Sequence, residues 1–266
     1  MTARAGADAL YRHRVSVSAG LLALLLSGIG QAADAPLLRF GTEGAYAPFN
    51  FIGADGKPQG FDVEIGEALC AALQRRCQWV VQDWDGLIPA LNAKRFDAIL
   101  ASMAITEKRK AAVDFTDPYY ASPGIVLARA GQGGPLTQAF LTGKTLGVQQ
   151  ETIYEAYLDA EMPGWATVRR YRSQDEAAQD LLNGRLDMLM ANSTQLDSWV
   201  KANGGYGAFA RVGAPFRHPS FGAGAGIAVR KGDAVLRADL NRALAQIVQD
   251  GRFAKITARY FDFDIR

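Results

Sequence analysis

The sequence predicts an α/β protein with parallel sheets and helical crossovers, arranged as two units of about 100 residues each, an ordinary domain size. Three observations predict it. Short apolar runs that read as strands alternate with segments of helical period. The alternation restarts after Gly131-Gln132-Gly133-Gly134-Pro135, which breaks both periods. A second loop-like stretch rich in Gly and Pro, Gly213–Gly226, precedes a last strand and two helices. Two breaks around a middle unit are consistent with two lobes and a two-strand hinge, although the alternation alone does not show the crossover.

Taken in order, Leu37–Thr42 reads as the first strand, and Glu43–Asn50 is a loop leaving it with one carboxylate and two aromatic rings. Asp55-Gly56 marks a hairpin turn. Phe61, Ile65, Ala68, Leu69 and Leu73 repeat at helical spacing. Gln78–Val81 is a strand. Asp85 is the expected cap of the helix carrying Leu87, Ile88 and Leu91, with Pro89 tolerable near its first turn. Asp97–Ala101 is the next strand, and Gly124–Ala128 another. Beyond the first break, strands at Thr145–Val148, Val168–Tyr171 and Leu186–Met190 alternate with helices at Thr152–Ala160, from Ser173 to Leu182, and from Thr194. Ser173-Gln174-Asp175-Glu176 is a capping box. Ile227–Val229 is the last strand, Asp233 caps the helix that Gly251 ends, and Phe253–Tyr260 is the final helix.

The 266 residues are 49% hydrophobic and 21% charged, ordinary for a globular chain. Residues 1–32 stand apart. Arg4, Arg12, His13 and Arg14 precede an apolar run from Val15 to Ile29, and Gly30-Gln31-Ala32 supplies small residues for cleavage. This is the pattern of a secretory signal peptide cut after Ala32. The competing reading, a membrane anchor, requires a longer apolar run. Cleavage would remove Arg4, Asp8, Arg12 and Arg14 and leave equal numbers of basic and acidic residues, so the +2 formal charge of the whole chain overstates its basicity. No basic block or aromatic-basic interleaving suggests nucleic acid.

Cys70 and Cys77 both lie in the exported part, where a pair is read as a disulfide. It would close a short loop worth about 2.5 kcal/mol in the chain-entropy description, pinning a helix end to the next strand. With only His218 left beyond the signal, neither a metal nor a cofactor site is expected.

The stretch from Asp97 to Arg109 carries most of the chemistry. A short buried strand ends in the small residues Ala101, Ser102 and Ala104, and Arg109 follows. Free backbone groups beside one guanidinium suit an α-amino acid, since Arg holds a carboxylate bidentately and carbonyls or hydroxyls take the ammonium. The same residues also suit a strand running into a solvated charged turn.

Several motifs in register resemble one family. They are Glu43-Gly44-Ala45-Tyr46-Ala47-Pro48-Phe49, Gly60-Phe61-Asp62-Val63-Glu64, Trp84-Asp85-Gly86-Leu87-Ile88-Pro89, Phe96-Asp97-Ala98-Ile99, Ile105-Thr106-Glu107-Lys108-Arg109 and Phe115-Thr116-Asp117-Pro118-Tyr119. Together with the cysteine spacing and the tail Tyr260-Phe261-Asp262-Phe263, they resemble the periplasmic solute-binding proteins of polar amino acid ABC transporters, family 3. The branch resembled binds lysine, arginine and ornithine, histidine, or opines. The resemblance covers residues 37–266.

It implies a type II periplasmic binding protein fold: residues 33–128 and 223–266 form one discontinuous lobe, 129–222 the other, and two crossover strands the hinge. It also implies a monomer that closes on its ligand and presents it to a membrane permease. Arg109 would bind the α-carboxylate, with the backbone N–H groups of Ala104 and Ile153 beside it and Thr152 opening a second-lobe helix. The Ser102 carbonyl would take the α-ammonium, in the stretch Ala101-Ser102-Met103-Ala104. Tyr46 and Trp84 would sandwich the ligand side chain, and Glu43 would face its distal cation. Gln149 and Asn192 complete the expected set.

The sequence departs from the branch at Gln149 and Glu151, where small or apolar residues are usual, and at two further positions. Ala104 stands where Ser is usual and Asn192 where Asp is usual, so a hydroxyl and a negative charge that serve the α-ammonium are gone. Asn192 resembles opine binders, whose ligands carry a secondary amine and a second carboxylate. Glu151 could supply the missing charge if it faces the cleft. The expected function is capture of a cationic amino acid or an arginine-derived opine (octopine or nopaline), without catalysis. The alternative is a cyclohexadienyl (prephenate or arogenate) dehydratase on the same scaffold, with Glu151 as general acid.

Overall fold

The computed structural model describes residues 35–266. The expected signal segment, its cleavage point and His13 lie outside the described residues. Leu37–Arg266 form one compact body containing two five-stranded sheets. In the first, the strands run in the order Arg76–Val81, Leu37–Thr42, Ala98–Ile99, Ala228–Arg230, Val113–Phe115. In the second, the order is Thr167–Tyr171, Thr145–Gln149, Met188–Asn192, Gly124–Arg129, Phe209–Phe216. Each sheet has three parallel strands from consecutive βα units, one strand antiparallel to them, and an edge strand antiparallel to that one. The sheets are therefore mixed, not wholly parallel as the alternation predicts.

The chain crosses between sheets twice, after Phe115 and after Phe216, and the crossing segments bond to each other. Tyr119 N donates to Ala225 O over 2.9 Å, and Ala225 N donates to Tyr120 O over 2.8 Å. Gly124–Arg129 pairs inside the second sheet, so the sheets change over ahead of Gly124, earlier than the boundary after residue 128 that the resemblance implies.

Apolar clusters cover both faces of each sheet. Phe40, Ile65, Leu69 and Leu240 pack on one face of the first sheet, and Leu87, Leu91, Phe96 and Ile99 on the other. Gly41 belongs to the packing: a Cβ there would come 2.4 Å from the Phe96 ring, so only glycine lets Phe96 cross the strand. Gly60, at φ 118°, lets the chain turn onto the Pro48 and Phe49 carbonyls, which accept from Phe61 N (3.0 Å) and Asp62 N (2.7 Å) as the helix Phe61–Ala72 begins. A small antiparallel sheet of Ala45–Tyr46, Asn50–Ile52 and Pro58–Gln59 carries the Asp55-Gly56 turn.

Caps follow the sequence in the second lobe. Ser173 and Glu176 form the capping box of Gln174–Leu182. Asp85 does not cap: Trp84–Gly86 is a 3₁₀ turn leading into Leu87–Asn92, whose cap residue Gly86 offers no side chain. The carboxylate of Asp85 instead accepts from Gln150 Nε2 over 3.2 Å. Cys70 and Cys77 are disulfide-bonded between the helix Phe61–Ala72 and the strand Arg76–Val81.

Candidate functional site

The carboxyl ends of the parallel strands in both sheets supply the walls of one cavity, as open α/β sheets do. From the first sheet, Glu43 follows Leu37–Thr42, Trp84 follows Arg76–Val81, and Ala101, Ser102 and Ala104 follow Ala98–Ile99. From the second, Gln149 ends Thr145–Gln149, Gln174 follows Thr167–Tyr171, and Asn192 ends Met188–Asn192. About 640 Å³ of space lies between these walls, open solvent at the mouth included.

Eleven of the twelve expected binding residues lie in its wall: those just named except Gln174, together with Tyr46, Arg109, Thr152 and Ile153. Met103 does not. It is 1% exposed and packs in the core with Leu91 and Phe96, because side chains alternate along an extended segment and its neighbours take the cavity face. Periodicity gave no reason to place Tyr120, Ser122, Tyr154, Gln174 or Phe221 here, yet they line the wall too. Tyr120 stacks on Phe49, and Phe221 meets Tyr154 edge to face.

At one end, Glu43 is buried and accepts from Gln149 Nε2 over 2.6 Å. Burial pushes its carboxyl up to about 8, against the pull of that hydrogen bond. Among the described residues no cation stands beside it. Arg109 is on the one-turn helix Glu107–Lys110, capped by Thr106. Its Nη1 donates to Ala104 O over 2.9 Å and its Nη2 to Glu151 O over 3.0 Å. The guanidinium carbon lies 5.0 Å from the centre of the Trp84 ring, a cation–π distance. Burial lowers its pKa to about 10, so it stays charged at neutral pH.

Trp84 Nε1 also donates to Glu151 O, over 3.3 Å. The backbone of Glu151, at φ 57°, thus faces the cleft. Its carboxylate is mostly exposed, 3.9 Å from Lys108 Nζ, and is absent from the cavity wall. Thr152 caps Ile153–Glu161 by accepting from Glu155 N, and it donates to Gln149 O over 2.8 Å.

Asn192 caps Ser193–Ala202 through Oδ1, which accepts from Gln195 N over 3.2 Å. The Ser102 hydroxyl donates to Asp62 Oδ2 over 2.9 Å. The Ser102–Asn192 side of the cavity therefore carries no carboxylate of its own. Further polar pairs cross the cleft, among them Arg172 with Asp83, Gln150 with Asp85 and Gln195 with the Ala47 carbonyl.

Residues 38–263 match the model of the bacterial extracellular solute-binding proteins, family 3. The chain is 44% identical over 250 residues to an L-arginine-binding protein of Pseudomonas aeruginosa, covering 92% of this chain and 96% of the relative. It is 37% identical over 254 residues to a lysine/arginine/ornithine-binding periplasmic protein of Escherichia coli, covering 92% and 97%. A solved periplasmic binding protein from Salmonella typhimurium, described for its high arginine specificity, superposes with a TM-score of 0.79 at 34% identity, covering 85% of this chain and 100% of that one. Two matching sheets, a doubly crossed hinge and a cavity at the strand ends agree with what these comparisons establish: the chain belongs to the bacterial extracellular solute-binding proteins, family 3.

Proposed function

We propose that the protein is the periplasmic receptor of an ABC uptake transporter and captures a cationic amino acid or an arginine-derived opine by lobe closure. The observation that carries this reading is the cavity's polarity. A buried carboxyl without a cation, Glu43, is at one end and the guanidinium of Arg109 is at the other, with Tyr46 and Trp84 also in the wall. A ligand with a distal cation satisfies Glu43, and its carboxylate satisfies Arg109. The relatives named for arginine and for lysine/arginine/ornithine support the same class.

The finer choice turns on the amine end. Ala104 has no hydroxyl, Ser102 spends its own on Asp62, and Asn192 Oδ1 is taken by a helix cap. Losing a carboxylate there weakens a primary ammonium by roughly 1.5–3 kcal/mol, which moves weight toward the secondary amine of octopine or nopaline. The lobes are taken to follow the two sheets, and the receptor to work as an exported monomer with a membrane permease as its partner. The dehydratase reading needs Glu151 as general acid, and its carboxylate lies outside the cavity wall.

The test is thermal unfolding of protein refolded free of ligand, scanned against arginine, lysine, ornithine, histidine, octopine and nopaline. Ligand at 1,000 times its dissociation constant adds about 4 kcal/mol, or on the order of 8–16 °C for a chain of this size. A shift with arginine or lysine identifies a cationic amino acid receptor, and a shift with opines alone assigns specificity to Ala104 and Asn192. No shift with any of them overturns the proposal, and phenylpyruvate formation from prephenate becomes the assay.

A further inference from the structure

Asp62 is fully buried and is not part of the cavity wall. It is the second residue of the helix Phe61–Ala72, whose N-terminus favours a negative charge. Its carboxylate collects three side-chain donors: Tyr119 Oη at 2.7 Å on Oδ1, and Asn50 Nδ2 and Ser102 Oγ, each at 2.9 Å, on Oδ2. Two bonds carry these contacts on into the cavity loops. Asn50 Oδ1 accepts from Gly44 N over 2.9 Å, one residue from Glu43. Tyr119 Oη accepts from Ser102 N over 3.1 Å.

Both destinations have unusual backbone. Gly44 has φ 77° and Ser102 has φ 53°. The left-handed region is costly for a residue with a Cβ and persists where its surroundings hold it. Ser102 is held twice, by its hydroxyl on Asp62 and by its amide on Tyr119.

We infer that Asp62 is a positioning residue for the binding cavity, fixing its two ends relative to each other, through Asn50 to Gly44 at the Glu43 end and through Tyr119 and the Ser102 hydroxyl at the other. An ionised carboxylate is acceptor-only and takes all three donors with no proton of its own to place. An amide in its place turns an NH₂ toward at least one donor. Burial pushes the Asp62 carboxyl up to about 6 while the hydrogen bonds pull it back. The ionisable side chains that act on it are the phenols of Tyr119, Tyr120 and Tyr46. No cation contributes among the described residues, so the charge is held by the three side-chain donors together with the Ser102 backbone and the helix N-terminus.

The experiment is amide hydrogen exchange by NMR on the ligand-free protein, comparing wild type, Asp62→Asn and Asn50→Ala. Asp62→Asn is expected to speed exchange at both Gly44 and Ser102 by about tenfold or more, what losing one charge-assisted bond allows, while Met190 in the second sheet stays unchanged. Asn50→Ala cuts one arm and is expected to speed Gly44 alone. Acceleration at one end only in Asp62→Asn, or equal acceleration at Met190, overturns the inference. Should Asp62→Asn fail to fold, Asn50→Ala decides: an unaltered Gly44, or Ser102 altered as much, is the overturning result.

Arginine titration of the same proteins gives a second readout, with affinity about tenfold weaker in Asp62→Asn, the affinity counterpart of the same bond. A variant that loses thermal stability but keeps its arginine affinity shows a purely structural role and overturns the inference. Wild-type protein that binds no arginine counts against the cationic-ligand reading, and the exchange measurement then decides the role of Asp62 alone.

Discussion

Gln149 Nε2 donates to Glu43 Oε1 over 2.6 Å, so an amide at a strand end of the second sheet meets a buried carboxyl at a strand end of the first. The two residues belong to different sheets, and their contact bridges the cleft at its distal end.

The raised pKa of Glu43 gives binding a pH signature. Its carboxyl moves from 4.5 to about 8 because burial disfavours the charge. A cationic ligand requires the ionised form, so binding at pH 7 releases close to one proton. Affinity tightens as pH rises toward about 8 and then levels off. Calorimetry in buffers of different ionisation enthalpy measures the proton, and Glu43→Gln abolishes it. The unliganded protein shows the opposite sign: its unfolded state gives up this proton near 4.5 and its folded state near 8, so this contribution to stability declines between those values as pH rises.

Arg109→Ala lowers ligand affinity on the order of 100-fold, the factor that about 3 kcal/mol corresponds to for a bond to a charged group. Arg109→Lys does not restore it, because an ammonium cannot span Ala104 O and Glu151 O while holding a carboxylate and lying over Trp84. Isothermal titration of both variants checks this.

Arg172→Ala removes the cross-cleft partner of Asp83. Both side chains are largely exposed, so the effect is small: ligand release up to about fivefold faster, corresponding to at most ~1 kcal/mol, with the association rate nearly unchanged. Stopped-flow Trp fluorescence separates the two rates, and added salt erases the difference.

Replacing Cys70 and Cys77 together by serine leaves affinity unchanged and lowers the unfolding midpoint by roughly 5–10 °C, the equivalent of about 2.5 kcal/mol in a chain of this size. The disulfide joins a helix to an edge strand on the flank of the first sheet, and neither cysteine lines the cavity. Calorimetric scans with and without reductant test it.

The βα series was legible because each unit carries its own punctuation. Ser173 with Glu176, and Asp233 before Leu236, mark helix starts that the structure shows. The strand Phe209–Phe216 was hidden by Gly213 and Pro215, which read as loop; the strand tolerates them because it is at the edge of its sheet, where the pairing register shifts between Val212 and Phe216. Val113–Phe115 is three residues long, too short for an alternation to register. At the site, the motif residues came together in one wall, whereas Tyr154 and Phe221 have the spacing and apolarity of core residues and become cavity residues only once the lobes meet. Gln174 was read only as part of a cap. Its position as the first residue of a helix aimed at the cavity depends on which strand precedes it in space, and the sequence contains no local trace of that.

The position of Ala228–Arg230 in the first sheet has a consequence for how the molecule assembles. This strand lies between Ala98–Ile99 and Val113–Phe115, and Val113–Phe115 pairs with no other strand among the described residues. Every strand of the second sheet, by contrast, falls between Gly124 and Phe216, in one uninterrupted run. As the chain emerges, the second sheet can close on its own, while the first waits with an open slot until Ala228–Arg230 arrives. A chain released early, before Ala228, would carry a finished second lobe and a first lobe exposing an unpaired strand edge, a template for aggregation or proteolysis. The first sheet, at whose strand ends Glu43 and Trp84 sit, is therefore complete only once residues 228–230 have been made.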